Sequence, residues 1–352
     1  MSNVITFQPK PRLSQQRPLD VLMRAVSQNR RLPGDVLWLK ENAELLNVLA
    51  ATGEQVSSDA LSAYAEFYDG IEERLRFYPQ YYRFFLSMCL DLEDLGFSGD
   101  KGGPICEWVA TTGLADAELS DLQRAEAQRL LARRGAAAPV GTGDLGDRLR
   151  QFAERPKTFA LPNKKAAYEL THIVFYLSEY GQGDPDLGED ALQSLEFAGL
   201  IAYLDQNHDL LAEICTALRY VGADPSEIWT QAVAQAHWGI MPVHAGDVPQ
   251  TVDAYHAYLV TGWAERLAGG RAFQSPLPEG GVQFAPPSSG GSALRPLSEC
   301  LYELGGARSA DWSGMKGRLI PALDAQTRMT LEQAEESTSG FEAFFEEFAR
   351  AV

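Results

Sequence analysis

With 352 residues, of which 45% are hydrophobic and 22% charged, the chain has the composition of a folded globular protein and the length for one large helical domain or two ordinary ones. A net charge of −18 excludes a nucleic-acid partner, because phosphate binding needs a concentrated basic surface, and disfavours an anionic membrane surface for the same reason. The first twenty residues are polar with three prolines, no apolar run approaches a bilayer span, and Cys89, Cys106, Cys215 and Cys300 form no CxxC pair. A cytoplasmic chain with reduced, mostly buried thiols is expected.

Helical periodicity runs through the N-terminal region, residues 1–134. Asp35–Ala50 sets Val36, Leu37, Leu39, Leu45, Leu46 and Leu49 mainly on one side, as an amphipathic helix requires. Asp91, Glu93 and Asp94 alternate with leucines after an aromatic run. They read as a solvated helix end rather than a cation site, since the alternation splits them across faces. Ser120 to Gln123 is a capping box. The Ala/Gly-rich stretch 135–146 is a candidate boundary, and none of its glycines stands in a nucleotide-phosphate pattern.

The central helical region, 147–268, holds all five histidines. Asn163 is a good cap and Gly181 a good stop, so the segment between them is predicted as one helix. Asp224-Pro-Ser-Glu227 predicts another helix start, and His256–Leu267 another helix. Residues 269–293, rich in Gly, Pro and Ser, read as a linker or long loop. In the C-terminal helices, 294–352, Leu294–Leu304 is short, Thr330 to Gln333 is a capping box, and Phe341, Phe344, Phe345 and Phe348 line one helix face. That face docks on the protein's own body or on a partner. Alternating strand patterns are nearly absent. The fold class expected is all-α: a multi-helix array, either an α/α toroid or a closed two-layer helical bundle, and the regions can equally form one continuous domain.

Glu169 and His172 stand at i and i+3, a spacing by which one helix offers a carboxylate and an imidazole to one metal. Asp205 with His208, and Asp253 with His256, repeat the offset, and His237 follows a helix. These residues define a candidate centre for a divalent iron, manganese or zinc ion, with Glu169, His172, His256, Asp253, His208 and His237 as ligands. Carboxylates without thiolates suit an open, catalytic position. Each has a plainer alternative. The Asp205–Asn207 run can cap the helix that starts at His208, Glu169 and His172 can be a hydrogen-bonded pair, and His256 can be a satisfied, half-buried side chain. A histidine beside a glutamate can also act as an acid/base pair without metal.

The run Glu169–Gly181 (ELTHIVFYLSEYG) and the later Tyr255–Ala264 (YHAYLVTGWA) resemble a pattern in uncharacterised all-helical bacterial proteins. The likeness covers residues 163–265 and implies a helical fold in which His172 and His256 belong to one site. The functional expectation is a metal-dependent enzyme acting on a small molecule or peptide by oxidation or hydrolysis. The alternative is a non-catalytic scaffold that binds a protein partner through its acidic surface or terminal Phe helix.

Overall fold

The structure, a computed structural model, describes residues 17–287 and 290–351. The reading of the polar first twenty residues falls mostly outside them. Among the described residues the fold is all-α, with one two-stranded sheet. The helices used below are α1 (Val36–Ala51), α2 (Tyr82–Asp94), α3 (Asp121–Ala132), α4 (Lys164–Leu177), α5 (Glu189–Leu204), α6 (His208–Tyr220), α7 (Glu227–Gly239), α8 (Tyr255–Leu267), α9 (Ala325–Ser337) and α10 (Phe341–Phe348). No helix among the described residues is long and apolar enough to cross a membrane.

Helix α6 is the axis of the arrangement. It packs against α4, α5, α7 and α8, and every residue from Leu210 to Leu218 is buried. Any polar side chain in that run is therefore carried into the interior whether or not it has a partner there. Helix α1 packs on α2 and also touches α8, while α3 lies against α4. A single hydrophobic core joins these layers, from Leu22 to Ala349.

Local chemistry sets most of the helix ends. Asp35 accepts from the Leu37 amide, Ser120 from Gln123, Asn163 from Ala166 and Asn207 from Leu210, each supplying an acceptor to an amide the helix leaves orphaned. Two starts differ from expectation. Helix α7 begins at Glu227 rather than beside Asp224. Thr330 lies inside α9, whose cap is Asp324, and its hydroxyl bonds back to the Gln326 carbonyl. Helix α4 also ends earlier than Gly181. The chain leaves it through Glu179, Tyr180 and Gly181, all in the left-handed region, which turns Glu179 away to pair with Arg129.

Segment 269–293 is more than a linker. It carries β2 (Val282–Ala285), antiparallel to β1 (Met241–His244), and its Phe273, Val282 and Phe284 are buried. The alternation Val282-Gln283-Phe284, between flanking Gly and Pro, is too short to announce a strand. In the C-terminal helices the four phenylalanines of α10 are all buried, with Trp312 and Phe197 against them. The aromatic face is thus part of the protein's own core.

Candidate metal centre

One turn of α4 organises the site. Tyr168, Thr171 and His172 fall at i, i+3 and i+4, and so share a face. His172 Nδ1 lies 2.8 Å from the Tyr168 carbonyl oxygen. A carbonyl can only accept, so the neutral ring carries its proton on Nδ1 and its lone pair on Nε2. The Thr171 hydroxyl reaches Glu213 Oε2 at 2.6 Å, and the Tyr168 hydroxyl donates to Asp209 Oδ1 at 2.7 Å. Asp209 and Glu213 stand one turn apart on α6. Asp209 occupies its first turn, where the helix dipole favours a carboxylate.

A third helix, α8, brings His256. Its Nδ1 lies 2.6 Å from Asp209 Oδ2, so the neutral ring turns the Nε2 lone pair inward. That Nε2 stands 3.9 Å from Glu213 Oε1 and 3.9 Å from Glu44 Oε1 of α1, and His172 Nδ1 stands 3.8 Å from Glu213 Oε2. These three separations are too long for hydrogen bonds.

Burial acts against every charge in this group. It pulls the His256 imidazole down, but the hydrogen bond to Asp209 and the charges of Asp209, Glu44 and Glu213 outweigh it and push the ring up to about 9. Burial raises Asp209, and the His256 bond reverses this, leaving the carboxyl below its usual range. Glu213, with only 3% of its side chain exposed, is raised by burial against the opposing pull of His172 and His256. Burial raises Glu44 likewise, opposed first by His256.

The donor set fits a divalent cation. Asp209, Glu213 and His256 bring donor-type atoms within 4.8 Å of one another, and with both Asp209 oxygens bonded to His256 and Tyr168 the atoms left open to a cation are Glu213 Oε1 and His256 Nε2. Ligands bonded at about 2.1 Å stand roughly 3–3.5 Å apart around a metal, so the 3.9 Å between His256 Nε2 and Glu213 Oε1 closes with a small side-chain movement. The carboxylate–histidine contact that fixes His256 is a recurring support for imidazole ligands. Beside the group opens a cleft of about 230 Å³ that Glu44 and His172 line together with Tyr81, Arg83, Phe84 and Glu126.

Of the residues expected from sequence, His172 and His256 meet across Glu213, and the other four lie elsewhere. Glu169 is partly exposed and faces Lys165, because the residue that shares the inward edge with His172 is Tyr168. Asp253 sits in a buried ion-pair group, where Arg30 bridges it to Glu41 at 2.9 Å each and the Phe284 amide donates to it. His208 opens α6 beneath the Asn207 cap and lines a separate cleft with Tyr203 and Gln333. His237 is 1% exposed, accepts from the Phe273 amide on Nε2 and meets the Thr261 hydroxyl on Nδ1, so both nitrogens are spent.

The acids Asp91, Glu93 and Asp94 are not solvated as a group. Arg133 and Arg134 bind them, and Asp91 is buried.

Sequence reasoning missed Glu44, Asp209 and Glu213. A signal existed in α6: His208-Asp-Leu-Leu-Ala-Glu213-Ile-Cys-Thr-Ala-Leu buries one glutamate in an apolar run, which is rare without a partner.

No curated protein matches the chain, and no solved structure matches it. A family model described as Domain of unknown function (DUF6902) matches residues 1–351, and the chain belongs to that family.

Proposed function

We propose that the chain is a metal-dependent enzyme. Glu213 and His256 bind one divalent iron, manganese or zinc ion, Asp209 fixes His256, and a small molecule reacts in the adjoining cleft by oxidation or hydrolysis. The observation that carries this reading is His256: Asp209 pins its Nδ1 while its Nε2 faces Glu213 Oε1 across 3.9 Å. The two carboxylates of α6 balance the charge of a divalent ion, and nitrogen plus oxygen donors suit these three metals. An ion held there supplies Lewis acidity or a redox couple.

The chain's own residues do the rest. Thr171 occupies Glu213 Oε2 and leaves Oε1 for binding. Tyr168 holds Asp209 through its hydroxyl and His172 through its carbonyl, so one residue sets both rings. A cleft of about 230 Å³ suits a small molecule better than a peptide. The scaffold alternative loses its most specific surface, since the Phe face of α10 is buried.

The test is reconstitution of untagged protein with Fe(II), Mn(II) or Zn(II), each followed by assays for dioxygen uptake and for ester and amide hydrolysis. One metal is expected to bind through His256 and to confer turnover that His256→Ala removes. Failure of all three metals to bind rejects the reading.

A further inference from the structure

The cleft beside the centre is built for one sign of charge and one shape. Its cation, Arg83, is already committed: Nε lies 3.0 Å from Glu118 and Nη1 pairs with Glu126. Two carboxylates thus face one guanidinium, and among the described lining residues no uncommitted Lys or Arg remains for an anionic ligand. Glu44 adds a further acid at the inner end, with the Lys40 ammonium 3.6 Å away.

The walls are aromatic. Tyr81 and Phe84 line the cleft, and Tyr81 continues outward to Tyr78 at 6.5 Å and then to Phe77 at 4.6 Å between ring centroids. Phe77 is 74% exposed and Tyr78 46%. Large aromatics that lie open in a row leading into a cavity have no core role there. Among the other lining aromatics, Tyr180 already carries Arg129 at 4.6 Å, so Tyr81 and Phe84 offer faces not taken by the protein's own cation.

We infer that the cleft takes an organic cation with an aromatic body, its ring against Tyr81 and Phe84 and its ammonium toward Glu44. The inference names a substrate class for the centre proposed above and rests on that reading for the reaction, though not for binding. Asp209 and Glu213 already match the two charges of a divalent ion, so the metal makes no demand on Glu44, whose own partner is Lys40 at 3.6 Å on the same helix. Aromatic faces and a carboxylate together discriminate a cation from a neutral molecule of the same shape.

The experiment is calorimetric titration of the full-length protein with three isosteres: 2-phenylethylamine, 2-phenylethanol and phenylacetate. Metal content of the same preparation is measured alongside. The amine is expected to bind on the order of tenfold tighter than the alcohol, with phenylacetate weakest, and Glu44→Gln is expected to remove the preference for the amine. The wild-type ranking decides the matter even if that variant is unstable. Phenylacetate binding as tightly as the amine, or an amine preference that survives in folded Glu44→Gln, overturns the inference. Bound metal without amine preference rejects the cleft reading alone, and amine preference without metal rejects the centre alone.

Discussion

His256 Nδ1 stands 2.6 Å from Asp209 Oδ2, and Tyr168 closes the other oxygen of the same carboxylate at 2.7 Å. Asp209→Asn keeps the shape of this contact and removes the charge that fixes the imidazole. It is expected to lower the melting temperature of the metal-free protein below about pH 9, where charged His256 loses its partner, and to weaken metal binding roughly 10–100-fold. Competition against a chelating dye measures this directly, and unchanged affinity would show that Asp209 does not orient His256.

Protons compete with metal for His256. Its folded value, about 9, lies above the ordinary value near 6.5. In metal-free protein this histidine therefore adds stability that is fully present below about pH 6.5 and is lost as pH rises through about 9. Metal binding must displace that proton, so affinity is expected to rise about tenfold per pH unit between roughly pH 6.5 and 9. Metal titration at several pH values checks the slope, and a flat profile contradicts it.

His237 has the opposite sign. Burial holds it down at about 4, so its neutral form contributes stability present above about pH 6.5 and lost as pH falls toward 4. The contribution is up to about 3 kcal/mol for a buried group of this kind. Urea denaturation of wild type and His237→Gln across this range is expected to show a shallower acid loss in the variant.

Asp253 tests where structure ends and the site begins. Arg30 is almost wholly buried between Glu41 and Asp253, and removing one partner leaves a buried charge uncompensated. Asp253→Ala is expected to cost about 3–5 kcal/mol in urea denaturation, with metal stoichiometry unchanged in the folded fraction. Loss of metal without loss of stability would return Asp253 to the centre.

The aromatic face of α10 is expected to behave as core. Phe344 is fully buried, and Phe344→Ala should lower stability by about 3–5 kcal/mol. A thermal melt near wild type would instead revive the view of that helix as a docking element.

Helix existence was legible wherever a cap preceded an apolar stripe, as at Asp35, Ser120 and Asn163, because those signals are local. Helix ends were less so. Glu179 and Tyr180 adopt left-handed backbone that nothing in their side chains announces. In the candidate site, the two histidines were visible as residue types, but their acids were not. The partners of His256 come from α6 and α1, 47 and 212 positions away, so an acid three residues off in sequence does not point to them. Asp253 and Glu169 satisfied the spacing while facing Arg30 and Lys165. Burial was the better guide, since Glu213 is the acid that α6 draws into the interior with its apolar neighbours.

Elemental analysis of untagged protein and of Glu213→Gln, after loading with Fe(II), Mn(II) or Zn(II) and removal of excess ion, tests the central claim most directly. About one metal per chain is expected in the wild type for at least one ion, and little in the variant. Wild type that holds no ion, or a folded variant that holds as much as wild type, would contradict a centre built on Glu213 and His256.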